Sequence, residues 1–197
     1  MISLALGLAA FLLYFLYDIN SFSWQRSFPR FFFALGTALL AGAAGLDLYA
    51  ACRINAFDSI VDWILIFFAL MSIIALIYSL FFALPFEETY AKQTDGRNVY
   101  DKGVYALCRH PGILFFFLLF FFLGLAAAPF YGLLLRGMFF SLLDLAYACF
   151  QDRITFPKTF CDYEAYRSYV PFLIPTPASI RRAKNTLLHA KHREDSL

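Results

Sequence analysis

The side chains with the clearest chemical potential in this chain are the basic pair Arg109 and His110 and the acidic residue Asp152. Pro111 follows the basic pair, and proline is typical of the first position of a helix. A helix that begins there presents backbone N–H groups and the positive end of its dipole to an anion. Asp152, which follows a later apolar run, supplies the opposite charge. These residues predict a site for a ligand that carries both signs of charge, such as an amino-acid moiety.

Several common chemistries lack their signatures in this sequence. It contains neither the G-x-G-x-x-G nor the G-x-x-x-x-G-K-[ST] pattern of nucleotide-binding proteins. The three histidines show no zinc-ligand spacing, and we therefore predict no metal site. The four cysteines show no C-x-x-C spacing, so we expect free thiols. A net charge of +2 gives no indication of nucleic-acid binding.

The composition predicts which elements must position this chemistry. Of the 197 residues, 61% are hydrophobic and 15% are charged, whereas a soluble domain carries about 25% charged residues. Apolar helices of roughly 20 residues cross a bilayer. The last apolar run is twice that long, and Pro129 and Gly132 divide it at a turn. We predict an all-α bundle of about five transmembrane helices at 2–17, 31–51, 60–86, 112–128 and 131–150.

The distribution of Lys and Arg predicts the orientation of these helices. With five spans, the first loop, the third loop and the tail beyond residue 150 share one side of the membrane. Those three regions hold every basic residue except Arg53 and Arg136. Because basic residues favour the cytoplasmic side, we expect a multi-pass protein with its N-terminus outside and its C-terminus in the cytoplasm.

Two segments carry a resemblance to a known family. Residues 103–112, Gly-Val-Tyr-Ala-Leu-Cys-Arg-His-Pro-Gly, resemble the G-x-Y-x-x-x-R-H-P signature of the isoprenylcysteine carboxyl methyltransferase family, of which membrane phospholipid methyltransferases share a looser version. The second segment follows the helical hairpin and contains Phe160, Tyr163, Tyr166 and the Val-Pro-x-x-x-Pro ending at 170–175. The resemblance covers about residues 88–175.

The resemblance implies that S-adenosylmethionine binds in a pocket at the cytoplasmic face and that a lipophilic acceptor enters from the bilayer. It divides the chain into N-terminal helices at 1–86, a methyltransferase-like core at 87–177 and a basic polar tail at 178–197. Methyl transfer from a sulfonium needs no metal, and we assign no catalytic residue. The residues that the resemblance assigns to the cofactor are Arg97, Asn98, Val99, Tyr100, Tyr105, His110, Pro111, Gly112, Ile113 and Asp152.

The chain departs from the family pattern at several of its positions. The acidic pair is reduced to Asp152 with Gln151 or Arg153 beside it, and an arginine expected about four residues upstream is absent. Ile113 stands where the signature has tyrosine. Two alternatives therefore stay open: an NADPH-dependent enzyme of the sterol reductase type, whose signature also contains R-H-P, and a catalytically silent membrane scaffold. The residues indicate neither the acceptor atom nor the oligomeric state.

Overall fold

A computed structural model describes residues 1–24, 26–83 and 98–194 of the chain, without the side chains of Arg30 and of residues 187–194. Helices dominate these ranges, and no strand occurs in them. In chain order the α-helices are α1 (Ile2–Ile19), α2 (Phe32–Arg53), α3 (Ile60–Ile77), α4 (Val104–Leu107), α5 (Pro111–Ala126), α6 (Tyr131–Phe150), α7 (Phe156–Thr159), α8 (Tyr163–Tyr169) and α9 (Pro177–Glu194).

The predicted all-α membrane bundle is confirmed as a fold class. Four helical stretches are long and apolar enough to cross a membrane, and they run over Ile2–Trp24, Phe32–Arg53, Ile60–Phe82 and Tyr131–Thr159. The fifth predicted helix is α5, which is also apolar but has only 16 residues. The turn predicted around Pro129 and Gly132 separates α5 from α6.

The predicted bounds of the last apolar helix, 131–150, match those of α6, Tyr131–Phe150, and the helical backbone extends beyond it. The helix continues from α6 through a π-helical turn, Gln151–Thr155, into α7. The polar residues of this turn end the apolar run, yet they keep a helical backbone. Pro157, which cannot donate an intrahelical bond, lies in α7 just before this helical stretch ends at Thr159. Two further π-helical turns, Asn20–Trp24 and Tyr78–Phe82, extend α1 and α3 in the same way.

The chain forms two compact units. Unit 1 consists of Met1–Ile73 and Phe116–Thr155, and unit 2 of Ile74–Phe115 and Phe156–Leu197. In unit 1, α1 packs against α2 and α6. Glycines allow this close approach: a methyl group at Gly7 would lie 2.1 Å from the buried ring of Phe140, and one at Gly36 would lie 3.0 Å from the carbonyl oxygen of Ala10.

Unit 2 is built around aromatic side chains near the second signature segment. Tyr163, Tyr166 and Val170 are fully buried there, and Val99, Phe156 and Phe160 pack against them. Helix α9 packs against the short helix α4, and the hydroxyl of Thr186 accepts a bond of 3.1 Å from the N–H of Gly103.

Helix α9 occupies most of the range predicted only as a basic polar tail. Its start is a reciprocal cap: the N–H of Ser179 donates to the Thr176 hydroxyl at 3.2 Å, and the N–H of Thr176 donates to the Ser179 hydroxyl at 2.9 Å. Pro177 occupies the first helical position, where proline is favoured. This Thr-Pro-Ala-Ser pattern was the available sequence signal for the helix.

Candidate functional site

The two signature segments lie side by side in unit 2. The N–H of Arg109 donates to the carbonyl oxygen of Pro171 at 2.9 Å, and that of His110 donates to Phe172 at 3.2 Å. These bonds join the two signature segments, and the contribution of Asp152 to the same site stays a prediction. They also fix the backbone that leads into α5 at Pro111.

Arg109 is used by the fold itself. Its guanidinium donates to the carbonyl oxygens of Arg167 at 3.0 Å and Val170 at 2.7 Å, at the C-terminal end of α8. The same group lies 5.6 Å from the centre of the Phe172 ring, a cation–π contact. A cation at this position stabilises the negative end of the helix dipole. Arg109 therefore has a structural role, and its part in binding an anion stays a prediction.

His110 is buried between two aromatic rings. Its imidazole stacks on Phe156 at a centroid distance of 5.7 Å and an interplanar angle of 11°. The ring of Phe172 is tilted relative to the imidazole, and the centres of these two rings are 4.9 Å apart. Pro111 then begins α5, and the N–H of Ile113 donates to the carbonyl oxygen of His110 at 3.3 Å. The turn over His110 to Ile113 is therefore a packed helix start.

Gly112 faces the last turns of the α3 stretch. A methyl group added to it would lie 3.6 Å from side-chain carbons of Leu76 and Leu80 and 3.8 Å from the hydroxyl of Ser79. These are ordinary van der Waals distances, so the position is close to its neighbours without requiring glycine.

Tyr105 connects three parts of unit 2. Its hydroxyl donates to the carbonyl oxygen of Ser79 at 2.8 Å, and its own carbonyl oxygen accepts from the Tyr166 hydroxyl at 2.7 Å. Burial raises the pKa of the Tyr166 phenol, which keeps its proton on the oxygen as a donor. Gly103, directly before α4, has a φ of 58°, a conformation that favours glycine. Tyr105 thus has a fixed phenol and a half-buried ring.

The segment before Tyr105 is held by the region around α8. The N–H of Val99 donates to the Asp162 carboxylate at 2.8 Å, and the side-chain oxygen of Asn98 accepts from the Cys161 thiol at 3.0 Å. Tyr100 is half-buried beside them. Arg97, which the resemblance also assigns to the cofactor, lies outside the described residues.

Helix α9 takes part in a second set of contacts that holds the segment before Tyr105. The Tyr169 hydroxyl donates to the Asp101 carboxylate at 2.9 Å. The Arg182 guanidinium lies 4.4 Å from the centre of the Tyr169 ring and donates to the Tyr169 carbonyl oxygen at 2.9 Å. Both contacts were missed, because residues this far apart in sequence carry no local signal of their pairing.

Asp152 belongs to unit 1 and is buried in the π-helical turn after α6. A second buried carboxylate, Asp18 at the end of α1, lies in the same unit. It accepts a bond of 3.3 Å from the Thr155 hydroxyl and is also hydrogen-bonded to the side chains of Gln151 and Tyr147. The sequence analysis missed Asp18; its signal was a carboxylate at the end of an apolar run.

All four cysteines are free, which confirms the expectation of thiols. Cys108 is buried inside the first signature segment, and its burial raises the pKa of the thiol to about 11. Cys52 in unit 1 and Cys161 in unit 2 are exposed. The thiol of Cys108 is therefore shielded from reagents, whereas Cys52 is accessible on unit 1 and Cys161 on unit 2.

Comparison of the chain with protein-family models, with curated proteins and with solved structures finds no match. The resemblance of the two signature segments therefore stays a prediction. The interpretation of the site depends on the geometry of unit 2.

Proposed function

We propose that this chain is a membrane-embedded methyltransferase that uses S-adenosylmethionine and a lipophilic acceptor. The observation that carries the proposal is the pairing of the two signature segments, through the backbone bonds from Arg109 to Pro171 and from His110 to Phe172. Segments that jointly enclose a ligand must lie together in the fold, and two stretches separated by a helical hairpin have no local reason to do so.

In this proposal Tyr105 supplies an aromatic surface. Its hydroxyl is bound to Ser79, which fixes the orientation of the ring, and an aromatic ring can stack on adenine or face the sulfonium. The N–H of Gly112 and the positive dipole end in the first turn of α5 favour polar or negative cofactor atoms. Asn98 and Tyr100 contribute polar groups that the bonds around Asp162 hold in place.

When bound, S-adenosylmethionine supplies a methyl group whose transfer forms a bond to the acceptor while the carbon–sulfur electron pair returns to sulfur. A carboxylate acceptor, as in isoprenylcysteine, loses no proton and needs no general base. The residues of unit 2 then have to hold, orient and shield the reactants. Orientation of this kind lowers a barrier by several kcal/mol.

We propose the cytoplasmic face as the location of unit 2, with the N-terminus outside. The basic side chains of α9, including Arg181, Arg182 and Lys184, support this orientation. A membrane-impermeant maleimide tests it, because Cys52 and Cys161 are both exposed. We expect Cys52 to be labelled on intact cells and Cys161 only after permeabilisation. The reverse pattern contradicts the orientation.

Thermal unfolding of the detergent-purified protein tests the function. Because a ligand that binds only the native state raises its stability, we expect S-adenosylmethionine and S-adenosylhomocysteine to raise the melting temperature and NADPH to leave it unchanged. A shift with NADPH alone supports the reductase. No shift with any of the three ligands supports the silent scaffold. Either result contradicts the proposal.

Variants of Tyr105 sharpen that test. Tyr105→Leu removes the ring, and we expect it to abolish the shift with S-adenosylhomocysteine, whereas Tyr105→Phe keeps the ring and most of the shift. Tyr131→Leu is the matched control, because Tyr131 is 71% exposed and lies in unit 1. The resemblance also assigns Asp152 to the cofactor, and Asp152→Ala tests that assignment separately.

A further inference from the structure

A cavity of about 350 Å³ lies in unit 1, at the turn that joins α1 to α2. The residues that line it are Trp24, Arg26, Phe28, Pro29 and Phe32. They belong to the end of the α1 stretch, to the connecting turn and to the first position of α2. A cavity of this size is large enough for a small polar group. The proposed methyl transfer uses none of these residues.

A buried side chain fixes the backbone of this turn at Arg26. The side-chain N–H of Asn20 donates to the carbonyl oxygen of Arg26 at 3.0 Å, and the N–H of Arg26 donates to the side-chain oxygen of Asn20 at 2.9 Å. Asn20 is only 3% exposed, and leaving a buried amide without these bonds is costly. Both bonds use main-chain groups of Arg26. They therefore hold this residue at the cavity without engaging its side chain, which is exposed.

Aromatic packing forms the apolar walls of the cavity. The rings of Phe28 and Phe32 meet edge to face, with their centres 5.7 Å apart. The ring of Phe33, the next residue, lies 5.6 Å from that of Tyr17, and this contact joins the start of α2 to α1. Pro29 is buried between these elements, and its ring restricts the backbone at that position. The cavity is thus formed before any ligand binds.

The charge at this cavity is positive. Of the described residues that line it, Arg26 alone is charged, and residues 19–46 include Arg26 and Arg30 but no Asp or Glu. A guanidinium forms paired, charge-assisted hydrogen bonds with a phosphate group. A quaternary ammonium gains from aromatic rings, but Arg26 repels it, and no described residue of the cavity supplies a carboxylate. The cavity therefore favours a ligand with a net negative charge.

The position of the cavity indicates that this anion belongs to a lipid. The helical stretches on either side of the turn, Ile2–Trp24 and Phe32–Arg53, are each long and apolar enough to cross a membrane. A turn between two such stretches lies where membrane and water meet, and tryptophan is enriched at that depth. Trp24 is 50% exposed and Phe28 is 72% exposed. We propose that this cavity binds the phosphate of an anionic phospholipid at Arg26, with the glycerol and the first acyl carbons against Trp24 and Phe28.

The two tryptophans of the chain allow this site to be observed directly. Trp63 lies in α3 and is not among the described residues that line the cavity. Trp63→Phe therefore leaves Trp24 as the only tryptophan fluorophore. This full-length variant, purified in detergent, is titrated with phosphatidylglycerol and with phosphatidylcholine, each carrying the same acyl chains and a doxyl quencher near the headgroup. We expect phosphatidylglycerol to quench Trp24 at about tenfold lower concentration, the gain that one charge-assisted hydrogen bond implies.

Two charge variants and a second reporter complete the test. Arg26→Gln in the Trp63→Phe background should remove the preference for phosphatidylglycerol and leave the melting temperature unchanged, because the side chain of Arg26 is exposed. Arg53→Gln is the matched control, since Arg53 is an exposed arginine at the end of α2 and is not among the described lining residues. It should keep the preference. Trp24→Phe leaves Trp63 as the reporter, and we expect the two lipids to quench Trp63 equally.

Equal quenching of Trp24 by the two lipids, an unchanged preference in Arg26→Gln or the same preference at Trp63 would overturn the proposal. Competition with glycerophosphoglycerol, which has the headgroup without acyl chains, identifies the source of the phosphate. Failure to displace the lipid at equal concentration supports a phospholipid as the occupant, whereas displacement at that concentration overturns it. None of these outcomes depends on S-adenosylmethionine, so they leave the proposed function to its own test.

Discussion

The contacts inside unit 1 differ in kind from those inside unit 2. In unit 1, apolar helices approach closely at glycines such as Gly7 and Gly36, and a few charged groups, including Asp47 and Arg136, pair between helices. In unit 2, short helices and irregular segments are joined by directional hydrogen bonds over an aromatic cluster. Small residues and isolated polar pairs are typical of membrane helix packing.

The difference supports unit 2 as the place for the proposed ligand site. A polar ligand needs backbone groups and side chains outside regular helical bonding, and unit 2 provides them at 98–113 and 156–172. Unit 1 keeps its backbone bonds inside helices, as a bilayer requires. It can therefore offer a ligand only individual side chains and helix ends, as in the cavity beside Arg26.

The largest expected effect comes from breaking the ion pair in unit 1. Asp47→Ala leaves the Arg136 charge without its partner, and we expect a loss of about 3 kcal/mol in the free energy of unfolding. Unfolding in a graded mixture of denaturing and mild detergent measures it. Asp58→Ala, at an exposed carboxylate, is the control. If both variants lose less than about 1 kcal/mol, the range of an exposed ion pair, the charges do not stabilise unit 1.

Glycine packing gives the next effect. A methyl group at Gly124 would lie 2.7 Å from the backbone Cα of Leu134, so Gly124→Val forces α5 and α6 apart. We expect a loss of about 2 kcal/mol by the same unfolding measurement. At Gly45 a methyl group meets nothing within 4 Å, and Gly45→Ala should be neutral or slightly stabilising. Equal effects of the two changes would refute the close approach of the helices.

Unit 2 should respond to the loss of single hydrogen bonds. Tyr166→Phe removes the bond to the carbonyl oxygen of Tyr105, and we expect a loss of about 1 kcal/mol with faster amide hydrogen exchange at Val104–Leu107. Tyr49→Phe is the control, because Tyr49 is 62% exposed in unit 1. Unchanged exchange in α4 would show that this bond does not fix the first signature segment.

The sequence predicted the membrane helices better than it predicted the polar elements and the contacts between distant residues. The apolar runs predicted all five apolar helices, because membrane spans require continuous hydrophobicity that composition reveals directly. The continuation of the last apolar helix to Thr159 and the helix α9 were not predicted. Both contain polar residues, so hydrophobicity alone does not identify them as helical. The pairings of Arg136 with Asp47 and of Arg182 with Tyr169 join distant positions, and one sequence contains no signal for them.

In the candidate site, the sequence indicated which two segments carry the resemblance but not how their residues are used. Arg109 was expected to face a ligand, and the sequence did not predict its bonds to the carbonyl oxygens of Arg167 and Val170. A motif specifies residue types, whereas the groups that satisfy each donor depend on the tertiary fold. Asp18 was missed for the same reason, since its partners belong to the end of the last apolar helix.

The smallest expected effect is a pH dependence from Cys108. Its thiol has a pKa of about 11 in the folded chain against 9.0 for an ordinary thiol. The folded state therefore holds the proton more tightly, and stability should be constant below pH 9 and fall as the pH rises from 9 towards 11. Cys108→Ala should remove part of this fall. Cys161, which is exposed, should react with iodoacetamide at pH 8 much faster than Cys108. Equal rates would contradict the burial.

The most direct test of the central claim is ultraviolet cross-linking of methyl-tritiated S-adenosylmethionine to the purified protein, followed by peptide mapping. The proposed methyltransferase site predicts label within residues 98–113, removed by an excess of S-adenosylhomocysteine and lost in Tyr105→Leu. Label confined to peptides of unit 1, or label that S-adenosylhomocysteine does not compete away, would contradict a cofactor site in the paired signature segments.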